Sequence, residues 1–234
     1  MAEQFVLDLS GPEPPSFDNF VAGANREALS TLRAVACAKS RESGVLLWGA
    51  QGAGKSHLLR AAASAAAHVR FVVEREKAQG LPSTGDVPPS TLLVVDRVDE
   101  ADASAQGTLF TLLNHLATNG GQWLATAALP PARLALREDL RTRIALGLVF
   151  EITPLADDDK AQALEAYARE RGFRLSSEVI AYLLAHGRRD MPSLVATLAA
   201  LDRHSLATQR AVSVPLIRDW LQRDLGLTST PGRS

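Results

Sequence analysis

The 234-residue chain contains a single cysteine, Cys37, so no disulfide can form within it. It has no run of about 18 apolar residues, which excludes a membrane-spanning helix. Its first residues, MAEQFVLDLSGPEPP, lack the basic start and long apolar stretch of a secretory signal. Together these absences predict a cytoplasmic protein with no membrane partner. Charge of one sign is also missing: 25 Lys and Arg stand against 26 Asp and Glu, for a net charge of −1. A dedicated DNA-binding domain usually carries a basic excess or stripe, so tight independent DNA binding is not expected. Aromatics make up only 5%, but hydrophobic residues reach 46% and charged residues 22%, ordinary values for a globular chain. That composition excludes disorder as the main state and excludes fibrous or rod-like architecture. No internal repeat is present.

What the chain does have is an alternation of apolar runs and helical periodicity. Residues 1–15 end in a proline cluster, Gly11-Pro12-Glu13-Pro14-Pro15, that can continue neither a helix nor a central strand, and they read as a mobile tail. Apolar spacing predicts a helix over 25–40, then a buried strand at 45–48, a helix over 55–67 and a strand at 71–73. The Gly-, Pro- and Ser-rich segment 79–90 reads as a loop. A third strand at 91–96, a helix over 104–118, a fourth strand at 123–126, a helix over 137–146 and a fifth strand at 148–152 follow. Such alternation predicts an α/β domain with a parallel five-stranded sheet covered on both faces. After Pro154 the alternation stops. Three acids, Asp157 to Asp159, open a helix, and three more helices follow. The expected organisation is a tail over 1–15, an α/β domain over 16–153, a small helical domain over 154–226 and a loose end over 227–234.

The segment Gly49-Ala50-Gln51-Gly52-Ala53-Gly54-Lys55-Ser56 fits the phosphate-binding pattern G-x-x-x-x-G-K-[ST], with a strand before it and a helix after it. Chance produces the pattern about once per hundred chains of this length. Glycine at 49, 52 and 54 lets backbone N–H groups turn inward around phosphate oxygens, and the start of the following helix adds partial positive charge. Lys55 can reach the terminal phosphates, and the Ser56 hydroxyl can bind Mg²⁺. The strand Leu92-Leu93-Val94-Val95 ends in Asp96, an acid placed to hold the same Mg²⁺. The expected cofactors are therefore ADP or ATP with Mg²⁺. P-loop ATPases of this architecture usually set a second acid directly after the first to orient the attacking water. Arg97 stands there instead, and a cation cannot accept a proton from water. Asp99 and Glu100 lie past the strand end and are expected to point elsewhere. The site is expected to hold nucleotide more than to hydrolyse it, and Arg97→Glu is expected to raise turnover.

Two segments, Phe17-Asp18-Asn19-Phe20-Val21-Ala22-Gly23 and the sequence GKSHLLRAA at 54–62, resemble the DnaA family of AAA+ ATPases. The likeness runs from about Phe17 to Leu225. It implies an AAA+ P-loop domain followed by a helical lid. The chain is expected to lack the initiator's N-terminal domain and its basic C-terminal DNA-binding domain, and so resembles the regulatory inactivators within this family. Those inactivators carry a sliding-clamp-binding tail, and Gln4-Phe5-Val6-Leu7-Asp8-Leu9 is similar to the clamp-binding pattern Q-L-x-L-x-L, with Phe5 in place of a leucine. An extended peptide of that kind seats a glutamine in a polar subsite and apolar side chains in a pocket. The resemblance further implies that Phe20 and Val21 line an adenine pocket and that Thr126 is the first polar sensor. Ala127 and Ala128 follow it where the family has polar and acidic residues. It assigns the lid's phosphate-reading arginine to Arg189, with Arg188 as the competing choice. It also implies that Arg143, in Leu140-Arg141-Thr142-Arg143-Ile144, points toward a neighbour's nucleotide, with Arg141 as the alternative.

The expectation is a negative regulator of replication initiation, associated with the nucleoid. It would bind the sliding clamp, the beta subunit of DNA polymerase III, through Gln4, Phe5, Leu7 and Leu9. It would stimulate ATP hydrolysis on DnaA through Arg143 in trans. Contact with DNA would run mainly through the clamp, and a homo-oligomer is a further expectation. An ATP-driven loader or targeting ATPase of replication proteins is the alternative; strong intrinsic turnover or helicase binding would favour it. A small-molecule P-loop kinase is the third reading, and the DnaA-like opening and Arg143 argue against it.

Overall fold

The computed structural model describes residues 14–66, 72–188, 190–208 and 212–224. The chain divides into two compact units, one over Pro15–Leu155 and the other from Ala156 onward. The clamp-motif residues Gln4, Phe5, Leu7 and Leu9, and the lid arginine Arg189, lie outside the described residues.

The first unit is a five-stranded parallel sheet with helices on both faces. In chain order it comprises α1 (Arg26–Ala36), β1 (Gly44–Trp48), α2 (Lys55–Ala66), β2 (Val72–Glu76), β3 (Leu92–Asp96), α3 (Ala103–Thr118), β4 (Gln122–Ala127), α4 (Glu138–Ala145) and β5 (Leu148–Glu151). Spatial order is β2-β3-β4-β1-β5, with every pairing parallel. Successive strand side chains point to opposite faces, so a strand covered on both sides must be apolar throughout. Leu46, Leu93, Val95, Trp123 and Ala125 accordingly pack with Leu109, Leu112, Leu113 and Leu116 of α3 and Leu140 and Ile144 of α4. Their strand neighbours Val45, Leu47, Leu92, Val94 and Leu124 face the other way, onto Leu32 and Val35 of α1 and Leu58, Leu59 and a run of alanines in α2. The Trp123 indole lies where a side chain on Gly44 or Gly147 would stand, so both positions need the absence of a Cβ.

The second strand departs from its sequence expectation. It runs through Glu74, Arg75 and Glu76, charges that no apolar criterion would include. As a sheet edge, β2 bonds one neighbour only, and exposed charge at such an edge discourages pairing with another chain. A short 3-10 turn, Thr84–Asp86, interrupts the loop that follows.

The second unit holds four helices: α5 (Asp157–Glu170), α6 (Ser177–His186), α7 (Met191–Thr208) and α8 (Val214–Asp224). The Ser176 hydroxyl accepts a hydrogen bond from the Val179 N–H and caps α6. Leu164, Val179, Ile180, Leu183, Leu194, Leu198, Leu201 and Ile217 form its core. No helix of the described residues is long and apolar enough to cross a membrane.

Candidate nucleotide site

The strand order explains the site. In a parallel sheet all carboxyl ends lie on one edge, where loops can converge on a ligand. Here β4 lies between β1, which runs into the glycine-rich loop, and β3, which ends in Asp96. Thr126, at the end of β4, thus stands beside Asp96.

The loop from Gly49 to Gly54 uses backbone that L-residues rarely adopt: φ is +143° at Gly49 and +99° at Gly54. A Cβ on Gly49 would lie 2.5 Å from the Ile152 carbonyl oxygen, and one on Gly54 would lie 2.8 Å from the Phe20 ring. Phe20 thereby packs directly on the loop, with its ring centroid 5.5 Å from that of His57. Val21 beside it is half-buried. The approach of this segment is fixed by two tethers. His57 Nε2 is 2.9 Å from the Ser16 carbonyl oxygen, and buried Asn25 exchanges two 2.9 Å hydrogen bonds with the backbone of Thr153.

Lys55 Nζ donates to the carbonyls of Gly49 and Ala50 at 2.8 and 2.9 Å. Burial pushes its pKa below the ordinary lysine value, and the carboxylates of Asp99 and then Asp96 oppose that shift. We expect Lys55→Ala to weaken ADP and ATP binding at least tenfold, about 1.4 kcal/mol. Isothermal calorimetry with equal ADP affinity for the two proteins would remove the phosphate-site assignment.

Around Asp96 the polar atoms are closely matched. Its Oδ1 accepts from the Ser56 hydroxyl at 3.0 Å and from the Thr126 hydroxyl at 2.5 Å. The Thr126 oxygen in turn accepts from the Arg97 N–H at 2.7 Å. Thr126 is fully buried, so its hydroxyl serves the strand ends rather than solvent. Arg60, one helical turn beyond Ser56, brings its guanidinium to 4.0 Å from Asp96 Oδ2. Ser56 and Asp96 together offer the oxygen ligands that Mg²⁺ prefers. No cluster of three or more His, Cys, Asp or Glu suited to a metal occurs among the described residues. Mg²⁺ commonly takes one carboxylate with waters and substrate phosphates rather than an all-protein cage, and Ser56 with Asp96 offers such a partial oxygen set. If bound there, it would neutralise charge on the phosphate oxygens.

Arg97 does not enter the site. Its backbone is left-handed, φ +55°, and its side chain forms ion pairs with Glu76 and Glu100. Glu100 also pairs with Lys77 at 2.6 Å, and that Lys77 hydrogen bond is the main reason its carboxyl lies below the usual range. Asp99 behaves differently. Its Oδ2 accepts from the Ala128 N–H at 2.9 Å, and its Oδ1 is buried with no hydrogen-bond partner among the described residues. The 3-10 turn Val98–Glu100 folds Asp99 back against the end of β4.

Arg143 sits in the last turn of α4, half-buried, with Nη2 3.5 Å from the Leu113 carbonyl oxygen. Arg141 is half-buried on the same helix, and Arg188 is exposed in the helical unit. Sequence reading missed Asn25, Arg60 and the contact of Asp99 with the end of β4. Only the D-x-x-D spacing of Asp96 and Asp99 hinted at the last.

The family model "Hda, lid domain" matches residues 157–221, and "Bacterial DnaA ATPAse domain" matches residues 13–75. Among solved structures, domain III of the Thermotoga maritima replication initiation protein DnaA is 20% identical with a TM-score of 0.72, over 92% of this chain and 98% of that one. AMPPCP-bound DnaA from Aquifex aeolicus is 23% identical with a TM-score of 0.66, over 82% of this chain and 67% of that one. Thermotoga maritima RuvB shares the fold at 15% identity and a TM-score of 0.66, over 91% and 72%.

Proposed function

We infer the function of this chain from what it is: a DnaA-family AAA+ protein of the Hda type. It acts as a negative regulator of replication initiation. The observation that carries this reading is the pairing, on one chain, of a DnaA-type ATPase start with an Hda lid. The N-terminal hexapeptide from Gln4 to Leu9 docks on the sliding clamp. The α/β unit holds ADP or ATP with Mg²⁺: backbone N–H groups of the loop Gly49–Gly54 and the Lys55 ammonium meet the phosphates, while Ser56 and Asp96 hold the ion. Phe20, set against the loop, and Val21 flank the base, and Thr126 reports on the phosphate end through Asp96. Arg189 of the lid unit reads phosphate. The partner is ATP-bound DnaA, to whose nucleotide Arg143 is presented.

The chemistry favours a division of labour. A planar, permanently charged guanidinium suits charge developing on a transferring phosphoryl group, and it can act on a neighbour's nucleotide. The site within this chain, with Arg97 bound to Glu76 and Glu100, is slow by itself. Steady-state turnover of the isolated protein is expected to stay below about 1 s⁻¹, the low end of ordinary enzyme rates. The gain expected of Arg97→Glu is corrected on this geometry: the side chain at position 97 lies beside Glu76 and Glu100, so the variant is expected to hydrolyse ATP no faster than the wild type. Phosphate release by the two proteins measures this, and a faster variant would show that the position does reach the nucleotide.

The function is tested by following ATP hydrolysis on DnaA with clamp-loaded DNA, with and without this protein. Stimulation that needs all three components supports it. No stimulation, combined with rapid intrinsic turnover, favours a loader or targeting ATPase instead.

A further inference from the structure

We propose that His57 is a positioning residue. It holds the base wall of the nucleotide site, the segment from Ser16 to Phe20, in place against the phosphate loop, and the share of affinity that comes from the base depends on it. This rests on the nucleotide-site reading above and deepens it.

The two halves of that site have different origins. The phosphate loop is local, eight consecutive residues between β1 and α2, with left-handed glycine torsions at its corners. The base wall precedes α1 and meets the loop from elsewhere in the chain. It starts as a closed turn: the Ser16 N–H donates to Asn19 Oδ1 at 2.9 Å, and the Asn19 N–H donates to Ser16 Oγ at 3.2 Å. Arg33 of α1 secures one side of this turn. Its guanidinium donates to the Phe17 carbonyl at 3.1 Å and pairs with Asp18 at 2.9 Å. These contacts tie the turn to α1 and leave its distance from α2 to another group.

That group is His57. It follows Lys55 and Ser56 in the first turn of α2 and is half-buried. Its Nε2 lies 2.9 Å from the Ser16 carbonyl oxygen. A carbonyl only accepts, so the bond requires the proton on Nε2, which donates. The same ring lies 5.5 Å from the Phe20 ring at an interplanar angle of 43°, within the range of paired aromatics. Phe20 in turn stands 2.8 Å from where a Cβ on Gly54 would be. One side chain thus touches both ends of the base wall, and it is carried by the helix whose start binds phosphate. The core contacts of this helix come instead from Leu58, Leu59 and the alanines beyond them. Without the tether the wall must be ordered when the base arrives, and that ordering subtracts from affinity. The loop keeps its own geometry, so phosphate binding is spared.

Four full-length proteins test this: wild type, His57→Gln, His57→Leu and His57→Ala. Glutamine restores an N–H toward Ser16 without the ring. Leucine keeps bulk against Phe20 and alanine removes it, and neither donates, so a folding failure of one leaves the other. Calorimetry in one buffer compares ADP with inorganic pyrophosphate, which engages the phosphate half alone. His57→Leu and His57→Ala are expected to bind ADP at least about tenfold more weakly, ~1.4 kcal/mol, with pyrophosphate affinity within about threefold of wild type. His57→Gln is expected to bring ADP affinity back to within about threefold of wild type. Unchanged ADP affinity in the leucine and alanine variants would overturn the proposal. So would equal weakening of ADP and pyrophosphate, the mark of a role in the helix alone, or a glutamine variant as weak as the leucine variant. A wild type that binds ADP no more tightly than pyrophosphate would overturn the base wall, and one that binds neither would overturn the nucleotide site, both distinct from a failure of His57.

Discussion

Arg143→Ala is expected to retain nucleotide and clamp binding and to lose the stimulation of ATP hydrolysis on DnaA. The expected loss is large because an arginine supplied in trans is typically worth about 10³–10⁵-fold in rate. Its location permits such a role. It lies in the last turn of an eight-residue helix, and among the described residues its guanidinium makes a long contact, 3.5 Å to the Leu113 carbonyl. A marginal hydrogen bond of that length restrains the head weakly, so it can be surrendered to a stronger acceptor such as phosphate. Its own sheet edge already has Lys55, with Arg60 near Asp96, so a role in cis would add little. Arg143→Lys should recover little activity, since an ammonium does not reproduce the guanidinium fork. Arg141→Ala serves as the companion variant. Full stimulation by Arg143→Ala together with loss in Arg141→Ala would transfer the role to the neighbour, and full stimulation by both would dismiss the trans mechanism.

Replacing Gln4, Leu7 and Leu9 together by alanine is expected to weaken clamp binding at least about a hundredfold. Each leucine seated in an apolar pocket contributes roughly 1.5–3 kcal/mol, so losing two already exceeds the ~2.7 kcal/mol that a hundredfold represents. Thermal stability and ADP affinity should be unchanged, because the proline cluster Gly11–Pro15 is expected to set the tail apart from the core, whose described residues in the α/β unit run from Phe17 to Ile152. The measurement is co-elution or surface binding with the isolated clamp, with a protein lacking residues 1–10 as reference. A triple variant that still co-elutes would show that the contact lies elsewhere. Under the proposed function the same variant should also fail to stimulate hydrolysis on DnaA, because that reading brings the protein to its partner through the loaded clamp.

Much of the α/β unit was legible because its chemistry is local. The phosphate loop needs glycines, a lysine and a hydroxyl within eight consecutive residues. A strand buried on both faces must be an apolar run, as in Leu92 to Val95. Helix faces repeat apolar residues at three and four, as Leu109, Leu112, Leu113 and Leu116 do. Strand β2 was read short because an edge strand tolerates charge, and Glu74, Arg75 and Glu76 carry no apolar signal. The tether between Asn25 and Thr153 was invisible for a different reason, since 128 positions separate its partners.

The sequence by itself therefore determined where the glycine-rich loop and the strand-ending acid stand, that the sheet is parallel, and where its alternation with helices gives way to helices alone. Those properties follow from periodicity and from side-chain chemistry at short spacing. Only the tertiary structure decided which of these groups meet. Strand order sets β4 between β1 and β3, which brings the Thr126 hydroxyl onto Asp96 although 30 residues separate them. A single left-handed residue then settles the fate of the acids: with φ at +55°, Arg97 swings out to Glu76 and Glu100, and the turn behind it carries Asp99 inward to the Ala128 N–H. Reading along the chain assigns an acid its role by its place after the strand. In the fold, where each side chain lies depends on which way the backbone turns: Arg97 faces outward while Asp99 meets the end of β4.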